Sequence, residues 1–208
     1  MKKSLFTLTL LPAMLLVACG GTKITAEEFE AKAETLYPAL EEKLADATTM
    51  SQTATVKASS KVTGTSVLGG EDYNISENGK FTFTMNLETE ETTVDPDEDD
   101  SQLGLLDFTD SFVFLFAGDI SWGYFGEAII TLYSNPLRVV AEAKVNEIAD
   151  GSTVTVHEKK SLTFGSDGII SKVVYEYSET IKSTYEGKKI NASQVTKATV
   201  TFSKLVIA

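Results

Sequence analysis

The residues of this chain that could do chemistry are few in type. Its 208 residues include one cysteine, Cys19, and one histidine, His157, which excludes an internal disulfide, a cysteine-rich zinc site and a site with several histidines. His157 lies in an alternating stretch on the face opposite Val154 and Val156, so we expect it to face solvent. Acidic residues are plentiful, but no pair of them flanks a recognisable cleft. We therefore expect no enzymatic activity, no catalytic residue, no cofactor and no bound metal.

Cys19 follows a segment with the composition of an export signal. Two lysines precede an apolar stretch over residues 5–17, which is shorter than the roughly 20 residues that a membrane-spanning helix needs. The end of this stretch and the two residues after it read Leu16-Val17-Ala18-Cys19, which resembles the lipobox of bacterial lipoproteins. That resemblance implies that residues 1–18 are a signal peptide, that Cys19 is lipidated with a diacylglyceryl group, and that residues 19–24 form a lipidated tether. The alternative is an ordinary secretory signal with a chance cysteine at its end.

The net charge indicates which partners to expect. The chain has 30 acidic and 18 basic residues, a formal net charge of −12, whereas nucleic acid requires a basic face. Anionic lipid surfaces should also repel such an acidic body. We expect an extracytoplasmic protein that is lipid-anchored to a bacterial membrane and binds no nucleic acid. The sequence leaves the protein partners and the type of membrane open.

The first element after the tether is predicted to be a helix. Thr25 and Glu28 have the spacing of a capping box, in which each side chain accepts a hydrogen bond from the other residue's backbone. Phe29, Leu36 and Leu44 belong to an apolar stripe with helical spacing. We expect a helix within residues 25–50 whose stripe packs on a sheet.

From residue 51 onward the hydrophobic period changes to two. Phe81, Phe83 and Met85 alternate with polar residues, as do the residues around Val139. Turn signals separate the alternating stretches at Asn78-Gly79, Asp150-Gly151, Asp167-Gly168 and Glu186-Gly187. The last two stretches, roughly residues 169–185 and 190–206, are expected to form a hairpin whose long arms require twist, coiling or a bulge. Consecutive strands joined by tight turns are antiparallel. The predicted fold class is α+β: a single domain over 25–208, with an N-terminal helix packed on a strongly curved, mainly antiparallel sheet over 51–208, in the form of a half-open β-barrel.

Two adjacent segments have opposite composition. Residues 88–100 are strongly acidic, and Asp95, Asp97 and Asp99 have the alternate spacing that opens a calcium loop. The rest of that pattern is missing, which favours a solvated linker. Residues 103–125 are rich in aromatic residues without a clean period. They are interpreted either as a buried core strand with its flanking loop or as a lid over an amphiphile.

The order of elements, a helix followed by long antiparallel strands around a hydrophobic middle segment, resembles the LolA-like lipoprotein carriers and the mycobacterial-type lipid-binding lipoproteins. The resemblance is architectural, and it implies a cavity that binds a lipid or another amphiphile. The ligand-binding residues that it implies are Phe81, Phe83, Met85, Phe108, Phe112, Phe114, Phe116, Trp122, Tyr124 and Phe125. The alternative function is a surface interaction or structural lipoprotein, such as an adhesin or an envelope-complex component, with no ligand cavity.

Overall fold

The fold is seen in a computed structural model that describes residues 21–25, 28, 31, 44–64, 70–117, 128–134, 136–149, 151–185 and 187–208. The described chain consists mainly of strands joined by short turns. In chain order the elements are β1 (Thr22–Lys23), β2 (Thr49–Thr63), β3 (Tyr73–Asn86), β4 (Thr92–Asp95), helix α1 (Leu105–Asp110), β5 (Ile129–Ser134), β6 (Leu137–Ala149), β7 (Ser152–Phe164), β8 (Ile170–Tyr185), β9 (Lys188–Phe202) and β10 (Val206–Ile207).

All ten strands belong to one antiparallel sheet with the order β1-β5-β6-β7-β8-β9-β2-β3-β4, and β10 pairs with β2 beside this path. Strands β5 to β9 form a meander in which each strand pairs with the next in sequence. The last strand of the meander, β9, then pairs with β2 from Ala54↔Phe202 to Thr63↔Ser193. Strand β2 therefore joins the first and last parts of the described chain, since it lies between β3 and β9.

The predicted α+β fold class is wrong. Strands account for 66% of the described residues and helices for 7%, and no helix of seven or more residues occurs among them. Most of the predicted helix within 25–50 lies outside the described residues, while Thr49 and Met50 belong to β2. The two hydrogen bonds of the capping box are present, from Thr25 N to Glu28 Oε2 at 2.9 Å and from Glu28 N to Thr25 Oγ1 at 3.3 Å. A capping box reports only local geometry, so it could not predict what covers the sheet.

The alternating stretches predicted the strands correctly. The pattern around Phe81, Phe83 and Met85 lies in β3, and the pattern around Val139 lies in β6. The long C-terminal hairpin is present as β8, with 16 residues, and β9, with 15. An irregularity was expected in arms of this length, and the register of β7 against β8 shifts between Thr163 and Phe164.

One of the predicted turns is wrong. Gly151, Gly168 and Gly187 lie in turns with positive φ angles of 77°, 79° and 78°, as the turn signals predicted. Asn78-Gly79 instead lies inside β3, where Gly79 pairs with Val56. A Cβ atom at Gly79 would come within 3.0 Å of Cε2 of Phe81. The glycine is there because a ring packs against the backbone, a reason that local sequence does not distinguish from a turn.

The sheet has two faces of different character. We call the face that carries Met50, Val56 and Phe83 the inner face, and the opposite one the outer face. A row of buried residues crosses five neighbouring strands on the inner face, each in register with the next: Val139, Leu162, Val173, Val200 and Val56. Burial of these side chains supplies the main driving force for this part of the fold.

Candidate functional site

The inner face is covered by residues 103–117, which we call the covering segment. Helix α1 and the turns that follow it place Leu105, Phe112, Phe114 and Ala117 in the core, each at most 7% exposed. The ring of Phe108 contacts Phe112 edge-on, with centroids 5.3 Å apart. The described part of the aromatic segment is therefore a helix and turns packed on the sheet, rather than a core strand.

Backbone hydrogen bonds fix the end of the covering segment to the turn between β7 and β8. Ile170 N donates to Leu115 O at 2.9 Å, and Ala117 N donates to Gly168 O at 2.9 Å. Phe116 forms an isolated antiparallel bridge with Ile169. The end of the covering segment is thus hydrogen-bonded to this turn in the way that an additional strand would be.

A buried glutamine connects the covering segment to the sheet. Gln52 of β2 is 1% exposed, and its Nε2 donates to Ile170 O and to Ser203 O, both at 3.2 Å. Its Oε1 accepts a hydrogen bond from Phe114 N, also at 3.2 Å. Phe114 has a positive φ of 56°, so its amide direction depends on an unusual backbone conformation. The glutamine satisfies polar groups of three distant segments within an otherwise apolar core.

Two acidic residues hold the start of the covering segment. Glu77 of β3 accepts hydrogen bonds from Gln102 N and Leu103 N, both at 3.0 Å. Asp99 accepts hydrogen bonds from Ser101 N at 3.0 Å and from Leu106 N at 2.6 Å. Burial acts to raise the pKa of Asp99, but the hydrogen bonds from Leu106 and Ser101 outweigh it and hold the pKa below its ordinary value of 3.8.

These contacts bear on the calcium alternative for residues 88–100. Of the three aspartates with calcium-loop spacing, Asp99 binds backbone amides. Within the described residues, no group of three or more Asp, Glu, His or Cys side chains is arranged to hold a metal ion. Asp99 thus has a structural role, because its carboxylate accepts hydrogen bonds from the loop before helix α1 and from the first turn of that helix.

The structure brings together several of the ligand-binding residues predicted from the sequence. Phe81, Phe83, Phe112 and Phe114 belong to one buried cluster, and partly buried Met85, Phe108 and Phe116 pack against it. Trp122, Tyr124 and Phe125 lie outside the described residues, as does the predicted lipidation site Cys19. The seven described side chains thus take part in the packing between the sheet and the covering segment.

Sequence reasoning missed a polar strip on the inner face, beyond the covering segment. Lys160 Nζ lies 3.0 Å from Glu158 Oε1, and Tyr177 donates its hydroxyl hydrogen to Glu179 Oε2 at 3.0 Å. Burial, this hydrogen bond and the charges of Glu179 and Glu158 raise the pKa of Tyr177 above 10.0. The alternating sequence of β7 and β8 could have predicted this polar strip, since its residues lie on the same face as Leu162 and Val173.

This strip offers hydrogen-bonding groups on the inner face of the sheet. A small cavity of about 90 Å³ adjoins it, lined by Val62, Glu179, Ile181, Ala192, Ser193 and Gln194. The chain's histidine lies on the other side of the sheet, where His157 Nε2 and Glu142 Oε1 are 2.7 Å apart and both side chains are exposed. The prediction that His157 faces solvent is confirmed.

The comparisons with known proteins leave the family open. No protein-family model matches the chain, and no curated protein matches it. Among solved structures, it aligns with the Neisserial surface protein A (NspA) at 5% identity and a TM-score of 0.15, over 73% of this chain and 96% of that one. A TM-score this low carries no argument about fold or function. No helix in the described part of the chain has the length and hydropathy needed to cross a bilayer.

Proposed function

We propose that the chain is a lipid-anchored, non-enzymatic protein on the outer face of a bacterial membrane, where it has an interaction or structural role. The observation that carries the anchor is the sequence Leu16-Val17-Ala18-Cys19 at the end of a short apolar stretch. Two acyl chains on one residue are enough for stable membrane attachment, because each buried methylene contributes about 0.8 kcal/mol.

The beginning of the sheet supports this proposal. Thr22 and Lys23 pair with Leu132 and Thr131 of β5, so the sheet begins three residues after Cys19, within the segment assigned from the sequence to the tether. Gly21 lies so close to Thr131 and Tyr133 that a Cβ atom would collide with both side chains. An anchor at Cys19 would therefore hold the edge of the sheet close to the bilayer.

The packing of the core favours an interaction or structural role over lipid carriage. Phe83 is 1% exposed beneath the covering segment, and Phe112, which belongs to that segment, is 2% exposed. Gln52 connects the covering segment to β2. A carrier would have to displace this segment to admit an acyl chain. Binding of an amphiphile among the predicted phenylalanines stays a prediction from the sequence alone.

Metabolic labelling tests the anchor. A bacterial host that processes lipoproteins would express the full chain and its Cys19→Ser variant with a labelled fatty acid. We expect label on the natural chain, recovered with the membranes, and an unlabelled variant that leaves the membrane fraction. A variant that stays with the membranes as fully as the natural chain would contradict the proposal.

Lipid binding tests the role. Residues 20–208, which carry all ten strands, would be delipidated and titrated with a fluorescent fatty acid. A packed core predicts no stoichiometric binding, and native mass spectrometry should show the bare protein mass. One tightly bound fatty acid per chain would instead establish the carrier function.

A further inference from the structure

The charges of this acidic protein are segregated onto different surfaces. The strand registers place eleven basic residues on the outer face, against the acidic residues Asp95, Glu142 and Glu176 at outer positions of the described strands. The basic residues are Lys23, Lys57, Lys61, Lys80, Arg138, Lys144, Lys159, Lys172, Lys182, Lys189 and Lys197. We call this set the basic face.

The lysines of the basic face are available for a partner. Nine of these ten lysines are exposed, and Lys159 is half-buried. In the described part of the chain, the ion pairs within 4.0 Å are His157–Glu142 and Lys160–Glu158, and neither uses a lysine of this face. Arg138 instead stacks on the ring of Tyr133, 4.1 Å from its centroid. The face therefore presents an array of cations that form no ion pair with other described residues.

The array includes a shallow depression. Lys57 and Lys197 stand on its two sides, and it has a volume of about 410 Å³. Short polar side chains complete the wall: Ser59, Ser76, Asn78 and Thr199. Ala58, Glu77 and Ala198 also line the depression, and because their side chains belong to the inner face, the backbone at these positions forms the floor. Two ammonium groups with several hydroxyl and amide groups around an open floor suit an anionic headgroup.

We infer that the basic face lies against the anionic headgroups of a lipid bilayer. The nine strands of the main path cover a width of about 40 Å, and the longer strands a length of about 45 Å, a broad area that matches a surface better than a single linear polymer. Ten of the eleven cations are lysines, which act as point charges rather than as specific bidentate ligands. Four exposed apolar side chains share the face, Ile129 at 58%, Ile148 at 82%, Val195 at 39% and Val206 at 60%, and they suit the boundary between headgroups and acyl chains.

The position of β1 agrees with this orientation. Lys23 belongs to the basic face and lies in β1, four residues after Cys19. This step rests on the proposed anchor, which would bring the same edge of the sheet to the bilayer. The net charge of −12 alone predicts repulsion from anionic lipid. At physiological ionic strength, however, charges separated by more than about 8 Å are largely screened, so the nearest face decides the contact.

Vesicle sedimentation tests the inference without the anchor. Residues 20–208 would be mixed with vesicles of phosphatidylcholine, with or without phosphatidylglycerol, at physiological and high salt. We expect binding only to vesicles that contain phosphatidylglycerol, and its loss at high salt. The variant K57E/K197E should bind at least roughly 25-fold more weakly, because one lysine near an anionic surface contributes a factor of about five. The pair K61E/K182E, on the same face, is an independent second variant.

A matched control separates position from net charge. Lys188 and Lys204 are exposed and lie outside the basic face, so K188E/K204E changes the net charge by the same amount and should bind like the natural sequence. Equal losses in the control and in K57E/K197E would overturn the inference, as would an absence of binding to anionic vesicles. Binding to soluble polyphosphate without binding to vesicles would overturn the assignment to a membrane. Because the protein used lacks Cys19, a failure here leaves the anchor proposal standing.

Discussion

Replacing Gln52 tests whether the covering segment is held to the sheet as the structure indicates. Gln52→Ala removes the donor to Ile170 O and Ser203 O and the acceptor for Phe114 N. The contacts with Ile170 and Phe114 are buried, whereas the contact with Ser203 is partly exposed and water can replace it. The substitution therefore leaves two buried polar groups without hydrogen-bond partners, and it creates a cavity at a position that is 1% exposed.

The expected loss of stability follows from these contacts. A buried polar group without a partner costs about 1–3 kcal/mol. Gln52→Leu fills most of the space but leaves both buried groups without partners, so it should lower the free energy of unfolding by about 2–6 kcal/mol. Gln52→Ala leaves a cavity as well, and should cost about 1 kcal/mol more than Gln52→Leu. The exposed Gln102 provides the control, since Gln102→Ala should change stability by less than about 0.5 kcal/mol.

Urea unfolding of residues 20–208 measures these differences, with unchanged m-values as the check that the unfolding transition is comparable. Hydrogen exchange supplies a local readout, because the amide of Phe114 should exchange faster in both Gln52 variants. If Gln52→Ala unfolds within about 0.5 kcal/mol of Gln102→Ala, Gln52 does not hold the covering segment, and our account of the core is refuted.

Two further predictions concern the supports of the same segment. Gly79→Ala should lower the free energy of unfolding by about 1–3 kcal/mol in a urea titration, although alanine is less flexible in the unfolded chain, because its Cβ would press on the ring of Phe81; an unchanged midpoint would contradict this packing. Asp99→Asn should lower the thermal midpoint at neutral pH and flatten its dependence on pH below 3.8. The folded pKa of Asp99 is lowered, so its stabilisation is present above 3.8 and is lost as the pH falls through the folded value. Asp100→Asn, next to it on the exposed loop, should leave the acid profile unchanged, and equal profiles for the two variants would count against the role of the Leu106 contact.

The sequence predicted the features that depend on near neighbours. Alternation identified β3, β6 and the long hairpin of β8 and β9, and the glycines at 151, 168 and 187 marked real turns. Prediction from the sequence failed where a contact between distant residues determines the local structure. Gly79 looked like a turn because its reason for being glycine is the ring of Phe81 and the covering segment above it.

Features formed by distant residues were also beyond reach of the sequence. Lys57 and Lys197 border one depression although 140 positions separate them, and their proximity follows only from the register of β2 against β9. The role of Gln52 depends in the same way on Phe114 and Ser203. The α+β prediction was wrong for a related reason: a helical stripe near the start of the chain carries no information about how much of the domain is sheet.

The segregation of charge between the basic face and the other described surfaces changes how the purification behaviour of the protein should be understood. From a distance the protein is an anion, and an anion-exchange resin should retain it. A cation-exchange resin meets the side that carries Lys57, Lys61 and Lys197, and should retain it too at a pH where most acidic proteins pass through. Retention on both resins would indicate a protein whose net charge is negative while its basic face is positive.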